Sequence, residues 1–93
     1  MDKKQKFSLT RTLTKLKNDC TPHEYRGVAE VINLVNQQEH IKDVLTLAEE
    51  RKNEWGIYWA EFAEHHALQI SNGIEKAIKA LKETMVVDSS TCT

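Results

Sequence analysis

The sequence predicts an all-α protein, a small bundle of three or four helices with a long amphipathic C-terminal helix. Two observations indicate this fold class. The 93 residues include only three Gly and one Pro, and a β-sheet domain needs more turn-forming residues than that. Between positions 41 and 81, apolar residues recur at steps of three and four, which is the period of a helix and not the alternation of a strand.

The chain is long enough for one domain. A chain of 93 residues buries only about two-thirds of its unfolded surface and supports a single core. Its composition, 40% hydrophobic and 29% charged, is that of an ordinary globular protein. We expect a flexible basic arm at residues 1–7, a single helical domain at residues 8–85 and a flexible tail at residues 86–93.

The first predicted helix is short and covers about residues 8–19. It is marked by Phe7, Leu9, Leu13 and Leu16, and its three threonines are mediocre helix formers. A helix of this kind needs to dock on the rest of the chain or on a second copy.

The second helix has the clearest start. Thr21-Pro22-His23-Glu24 matches a capping box, in which Pro22 takes the first helical position and the Glu24 side chain reaches back to the Thr21 amide. The apolar face that follows is too wide for a surface helix with one partner, so we place this helix near the middle of the bundle. Its apolar residues are Tyr25, Val28, Ala29, Val31, Ile32, Leu34 and Val35.

A polar stretch at residues 36–40 separates this helix from the long apolar stripe. As a single helix the stripe would be about 60 Å long at 1.5 Å per residue, whereas a domain of this size is about 25–30 Å across. We therefore expect a break or kink at Asn53–Gly56, or an oligomer in which a partner covers the protruding half. The stripe consists of Ile41, Leu45, Ala48, Trp55, Trp59, Phe62, Ile70, Ile74, Ala77 and Leu81.

Ser71–Gly73 is a second candidate for a break. Gly56 and Gly73 both fall on the buried side of the stripe, and we interpret Gly73 as a point where another helix approaches closely, because it has no side chain. The last helix should end near Thr84.

Four of the six aromatic residues lie within eight positions of the stripe. Aromatic residues at helical spacing usually form a core where helices cross. They can instead anchor a partner, since Trp and Tyr dominate the energetics of interfaces, and Ile57 and Leu68 on the otherwise charged side support that interpretation. The predicted partner-binding surface comprises Trp55, Ile57, Tyr58, Trp59, Phe62 and Leu68.

Charge is distributed unevenly, although the formal net charge is −1. Residues 1–17 contain six basic residues and one acidic residue, whereas residues 18–64 contain four basic and ten acidic residues. Such runs are usually solvated surfaces. The alternative is that one end binds an acidic partner or the other end a basic one.

Nucleic acid, or an anionic nucleotide ligand, is the alternative partner. A basic segment can follow a phosphate backbone, but this one lacks interleaved aromatic residues and helix-turn-helix spacing. The residues that would bind the anion are Lys3, Lys4, Lys6, Arg11, Lys15, Lys17 and Arg26.

The sequence contains no motif that predicts catalysis, a metal site or a cofactor. Gly-rich phosphate loops, nucleophile elbows and zinc spacings are absent from it. The nearest candidate is the group Glu61, Glu64, His65 and His66, but bundle di-iron sites need Glu three residues before His, and neither histidine has Glu there. We expect no enzymatic activity, no metal and no cofactor.

The two cysteines, Cys20 and Cys92, form neither a disulfide framework nor a metal pattern, which favours the reducing cytoplasm. No apolar run approaches the roughly 18 residues of a membrane span, and the N-terminus lacks the apolar region of a signal peptide. The sequence thus predicts a cytoplasmic, non-enzymatic regulator, adaptor or inhibitor that binds another protein. A symmetric homodimer is expected, because the striped segment is long for its domain.

Overall fold

The computed structural model describes residues 2–92, with side chains described from residue 2 to residue 84. Four α-helices form this part of the chain, and it contains no strand: α1 is Lys3–Lys15, α2 is Pro22–Gln37, α3 is Ile41–Phe62 and α4 is His65–Cys92. A 3-10 turn, Leu16–Asp19, follows α1. The radius of gyration is 13.4 Å, as expected for one compact domain of this length. The prediction of an all-α bundle is confirmed.

Helix α1 begins five residues earlier than predicted. The Asp2 carboxylate caps it by accepting a hydrogen bond from the Gln5 backbone N–H at 2.7 Å, which satisfies one of the free amides of the first turn. Lys3–Phe7 are therefore helical, although the expected flexibility of residues 1–7 stays a prediction. Leu9 and Leu13 are buried, whereas Phe7 is 70% exposed, so Phe7 does not belong to the apolar face of this helix.

Helix α2 starts as the sequence predicts. The Thr21 hydroxyl accepts from the Glu24 backbone N–H at 3.3 Å, and the Glu24 carboxylate accepts from the Thr21 backbone N–H at 2.9 Å. Both bonds of the capping box are thus present. Helix α2 packs against each of the other three helices, which confirms its predicted place near the middle of the bundle.

The predicted break at Asn53–Gly56 is wrong. Helix α3 runs through these residues without interruption and ends at Phe62, since one Gly in a helix interior costs only about 1 kcal/mol. The chain turns instead at Ala63, which adopts a left-handed conformation with φ 53° and ψ 35°. The second candidate, Ser71–Gly73, also lies inside a helix, α4.

Helices α2 and α4 cross at two glycines. A Cβ on Gly27 would overlap the Ile70 backbone carbonyl, and a Cβ on Gly73 would overlap the Glu24 backbone carbonyl. The predicted role of Gly73 is confirmed. Nothing lies within 4 Å of a Cβ built on Gly56, so Gly56 is not such a contact.

The core lies among all four helices. It is formed by Leu9, Leu13, Val28, Val31, Val35, Val44, Ala48, Ile70, Ile74, Ala77, Ile78 and Leu81. The striped residues of α4 are buried as predicted, but Trp59 and Phe62 are 37% and 61% exposed. Helix α2 meets α3 at Trp55, and every residue from 57 to 63 is exposed. The interpretation of Trp59 and Phe62 as core residues therefore does not hold, because α3 extends beyond the helices that cover it. The alternative interpretation, a contact surface, stays a prediction.

Helix α4 continues to Cys92, so the expected helix end near Thr84 is wrong. The expected flexibility of the tail at residues 86–93 stays a prediction. A search of the described helices finds no segment long and apolar enough to cross a bilayer.

Candidate functional site

The most exposed apolar side chains of α3 lie in its last two turns. Tyr58 is 40% exposed, Trp59 37% and Phe62 61%. Together with the partly buried Trp55, they are separated by steps of three and four residues, which place them on one side of a helix. We call Trp55, Tyr58, Trp59 and Phe62 the aromatic surface.

Three rings of the aromatic surface, those of Trp55, Tyr58 and Phe62, contact one another in a row. The ring centroids of Trp55 and Tyr58 are 5.9 Å apart with the planes at 75°. Those of Tyr58 and Phe62 are 4.8 Å apart with the planes at 45°. Edge-to-face and tilted pairs of this kind are favourable arrangements of aromatic quadrupoles, so each of these rings stabilises the position of its neighbour.

Trp55 fixes one end of the aromatic surface to α2. Its indole Nε1 donates a hydrogen bond to the Glu30 carboxylate at 3.1 Å. The Arg26 guanidinium lies 5.7 Å from the Trp55 ring centroid, within the range of a cation–π interaction. The aromatic surface is therefore attached to the core at Trp55 and open to solvent at Phe62.

Acidic residues border the aromatic surface. Tyr58 is four residues after Glu54 and three before Glu61, so both carboxylates neighbour it on the helix surface. Glu54 pairs with Arg51 at 3.4 Å, and Glu64 with His66 Nδ1 at 3.2 Å. Glu61 has no ion-pair partner among residues 2–84. The border is thus negative on the side of Tyr58.

Two residues of the predicted partner-binding surface lie apart from the aromatic surface. Ile57 is 59% exposed, but it is two positions from both Trp55 and Trp59, which is about 200° around a helix. It therefore lies on the opposite side of α3. Leu68 belongs to α4 and is only partly exposed. The other four predicted residues do come together.

The residues predicted for anion binding do not form one site. The Lys6 ammonium donates to the Asn36 backbone carbonyl at 3.4 Å, and the Lys17 ammonium lies 5.6 Å from the Tyr25 ring centroid. Both are thus turned towards α2. Arg26 stacks on Trp55, on another side of α2. Lys3, Lys4, Arg11 and Lys15 are exposed on α1 and have no ion-pair partner in the part of the chain whose side chains are described.

Phe7 lies among the exposed cations of α1. It is three residues after Lys4 and four before Arg11, so the three share one side of the helix with Lys15. We call Lys4, Phe7, Arg11 and Lys15 the basic face. A groove of about 610 Å³ runs beside it, lined by Phe7, Thr10, Arg11, Thr14, Lys15, Lys17 and Asn18. Sequence reasoning missed Phe7, although its step of two from Leu9 did not fit the apolar side.

A second groove, of about 660 Å³, lies between α3 and α4. Two ion pairs are on its walls: Lys52 with Glu75 at 3.7 Å, and Lys82 with Glu49 at 3.8 Å. The opposite charges alternate there, so the groove does not favour a ligand of either sign. None of the predicted site residues lines it.

The titratable groups near the start of α2 interact through an ion pair and hydrogen bonds. The Glu24 carboxylate lies 3.1 Å from the Lys76 ammonium. The hydrogen bond from the Thr21 backbone N–H, followed by that from Lys76, lowers the pKa of Glu24. The hydrogen bond to Glu24 raises the pKa of Lys76. Burial raises the pKa of the Cys20 thiol, which keeps the thiol in its less nucleophilic, protonated form.

The histidines do not gather with other ligands. The ring centroids of His23 and His66 are 5.8 Å apart, and His65 is exposed. Across residues 2–84, no three His, Cys, Asp or Glu side chains are placed to share a metal ion.

Comparison of the chain with protein-family models, with curated proteins and with solved structures finds no match.

Proposed function

We propose that this chain is a small, non-enzymatic, cytoplasmic protein-binding module, a regulator, adaptor or inhibitor, that contacts its partner through the aromatic surface. The observation that carries this proposal is the exposure of three adjacent aromatic side chains, between 37% and 61%, at the end of a helix whose Trp55 is fixed to the core. Exposed aromatic groups of this kind are typical of interface anchors.

The physical reason is the free energy of apolar burial. Covering apolar surface contributes about 25 cal/mol per Å², and Trp, Tyr and Phe offer large areas with few rotatable bonds, so little side-chain entropy is lost on binding. The rings already contact one another. A partner therefore meets a surface that is largely ordered before binding.

The acidic border favours a partner whose contact surface is positively charged. Glu54 and Glu61 lie one helical turn from Tyr58, and Glu61 has no ion-pair partner among residues 2–84, so a like-charged partner would be repelled at short range. The partner is thus a protein that presents apolar groups together with Lys or Arg. Charge of this kind acts mainly on specificity and association rate rather than on affinity.

Photo-crosslinking in cells that make the chain tests this proposal. A photoreactive phenylalanine analogue at position 62 keeps the aromatic side chain, and the same analogue at exposed Asp43, in the first turn of α3, is the matched control. We expect one discrete protein adduct from position 62, none from position 43, and loss of the adduct when Trp59→Ala is added. The same adducts from both positions would contradict the proposal.

Nucleic-acid binding is the second candidate, and the exposure of Phe7 favours it. Phe7 is 70% exposed between cations, so the basic face has the aromatic group on which a base can stack. Fluorescence anisotropy with a labelled single-stranded oligonucleotide tests this function. The expected binding weakens steeply with salt and is reduced by Arg11→Ala, whereas Lys79→Ala on exposed α4 surface has no effect. The absence of binding at low salt would remove this candidate.

A further inference from the structure

Self-association through matching aromatic surfaces is opposed by charge. If two copies packed their aromatic surfaces together, Glu54 and Glu61 of one copy would face the same residues of the other, and like charges across an interface are repulsive. The C-terminal half of the basic face, with Arg11 and Lys15, has the opposite charge. The chain therefore contains two complementary surfaces.

The two surfaces are placed so that two copies can use both at once. Lys17, in the 3-10 turn after α1, contacts Tyr25, and Trp55 of α3 contacts Arg26. Tyr25 and Arg26 are consecutive residues near the start of α2, so the C-terminal end of α1 and Trp55 of the aromatic surface lie at the same end of the bundle. Consecutive residues point about 100° apart, which puts α1 and α3 on different sides of α2.

We propose that the aromatic surface of one copy docks on the basic face of a second copy, and that a two-fold axis parallel to α2 makes this contact twice. This inference rests on the proposed function, because it names a second copy of the chain as the partner of the aromatic surface. A rotation about this axis places the second copy on the opposite side of the axis and leaves each residue at the same level along α2. The end of each α3 then meets the C-terminal half of the other α1.

The contact matches in shape and charge. The groove beside the basic face, of about 610 Å³, has room for the Phe62 ring. Arg11 and Lys15 line this groove and have no ion pair in the described part of the chain, as Glu61 has none. Docking brings these unpaired charges of opposite sign together around buried aromatic rings, the arrangement of an apolar interface centre with a polar rim.

Two contacts are needed for a stable dimer. A specific interface buries about 1,200–2,000 Å² in total, which is more than one patch of a few side chains supplies. Each of two equal contacts would have to bury about 600 Å² for the dimer to reach the lower bound. The doubled contact also gives a closed dimer rather than an open chain of copies.

Light scattering on a size-exclusion column, with two charge-reversed variants, tests the proposal. In Arg11→Glu/Lys15→Glu both surfaces are acidic, and in Glu54→Lys/Glu61→Lys both are basic. The wild-type chain is expected to be a dimer. Each variant alone is expected to be a monomer whose dimer dissociation constant is at least tenfold higher, because both of its contacts pair like charges. Lys79→Glu, on exposed α4 surface, is the control and remains a dimer.

The decisive measurement is the mixture of the two variants. Because each acidic surface then meets a basic one, the mixture is expected to form a heterodimer within about threefold of the wild-type affinity, with circular dichroism confirming that each variant is folded. A wild-type monomer at about 0.1 mM, a variant that stays dimeric alone, or a mixture that stays monomeric would each overturn the proposal.

These outcomes separate this inference from the proposed function. A monomeric chain whose position 62 still crosslinks to a different protein overturns the dimer and leaves protein binding intact. A monomer with no crosslink at position 62 overturns both. If the wild-type chain is monomeric and Arg11→Glu/Lys15→Glu abolishes oligonucleotide binding, the basic face binds nucleic acid and the proposed dimer is overturned.

Discussion

At the scale of single residues, two glycines decide how closely α2 and α4 pack. Gly73 could be predicted from the sequence, because it falls on the buried side of a helix that has a regular apolar stripe. Gly27 could not, since α2 is apolar over such a wide face that a missing side chain at one position carries no signal. The helical phase of a glycine does not by itself identify a close contact between helices. Gly56 is half-buried, yet no atom lies within 4 Å of a Cβ built on it.

The first prediction compares Gly73→Ala with Gly56→Ala. The new methyl group at position 73 would overlap the Glu24 backbone, which cannot rotate away, so we expect a loss of about 1–3 kcal/mol in the free energy of unfolding. At position 56 there is space, and Ala should stabilise the helix by about 0.5–1 kcal/mol. Urea unfolding measures both. Shifts of the same sign would contradict the close crossing.

The second prediction concerns pH and Glu24. Because the folded state lowers the pKa of Glu24, the unfolded chain binds this proton at a higher pH than the folded chain does. The stabilisation is thus complete above the ordinary pKa of 4.5 and is lost as the pH falls below it. Between about pH 5 and pH 3 the free energy of unfolding should fall less steeply in Glu24→Gln than in the wild type.

Glu83→Gln is the control for this measurement. Glu83 is exposed and has no ion pair among the described side chains, so its replacement should leave the wild-type pH slope unchanged in urea unfolding at stepped pH. Equal slopes for Glu24→Gln and the wild type would show that the capping carboxylate does not contribute to acid sensitivity.

At the scale of elements, the start of α2 could be read from the sequence and the end of α3 could not. Thr21, Pro22 and Glu24 each make a local interaction that defines a helix start. Helix α3 ends at Phe62, and the next residue, Ala63, adopts the left-handed conformation, where glycine is usual. The following Glu64 and His65 are not stop signals. The nearest glycine, Gly56, is seven residues earlier, which is why the predicted break was misplaced.

The third prediction tests this helix end. Residues other than Gly cost roughly 1–2 kcal/mol in the left-handed region. Part of the gain from Ala63→Gly is offset by the greater entropy of the unfolded chain, so the free energy of unfolding should rise by about 0.5–1 kcal/mol. The control is Ala60→Gly, about one turn earlier at an exposed position of α3. This change should lower the free energy of unfolding by about 1 kcal/mol. Thermal unfolding of both variants measures the two effects, and destabilisation by Ala63→Gly would contradict the left-handed cap.

At the scale of the whole molecule, helical phase predicts which side of a helix faces its neighbours but not how far those neighbours extend. Trp59 lies in phase with Ala48 and Trp55, yet it is 37% exposed. The sequence therefore allowed both a core and a contact surface at these aromatic residues. The choice depends on where α2 and α4 begin relative to α3, which is a property of the assembled bundle.

The same limit applies to the proposed dimer. The sequence-based argument for it was the length of the striped segment, and the turn at Ala63 divides that segment into two helices. The proposed dimer rests instead on the complementarity of the aromatic surface and the basic face. Their unpaired charges and exposed rings could not be located before α1 and α3 were placed around α2.

The most direct test of the central claim is the free energy of unfolding of Phe62→Ala compared with that of Ile74→Ala, by urea denaturation of dilute protein. Ile74 is fully buried and Phe62 is 61% exposed. We predict a loss of about 2–5 kcal/mol for Ile74→Ala and less than about 1 kcal/mol for Phe62→Ala, since a surface contact residue adds little to the folded monomer. A loss for Phe62→Ala as large as that for Ile74→Ala would show that the aromatic residues are core and would contradict their role as a contact surface.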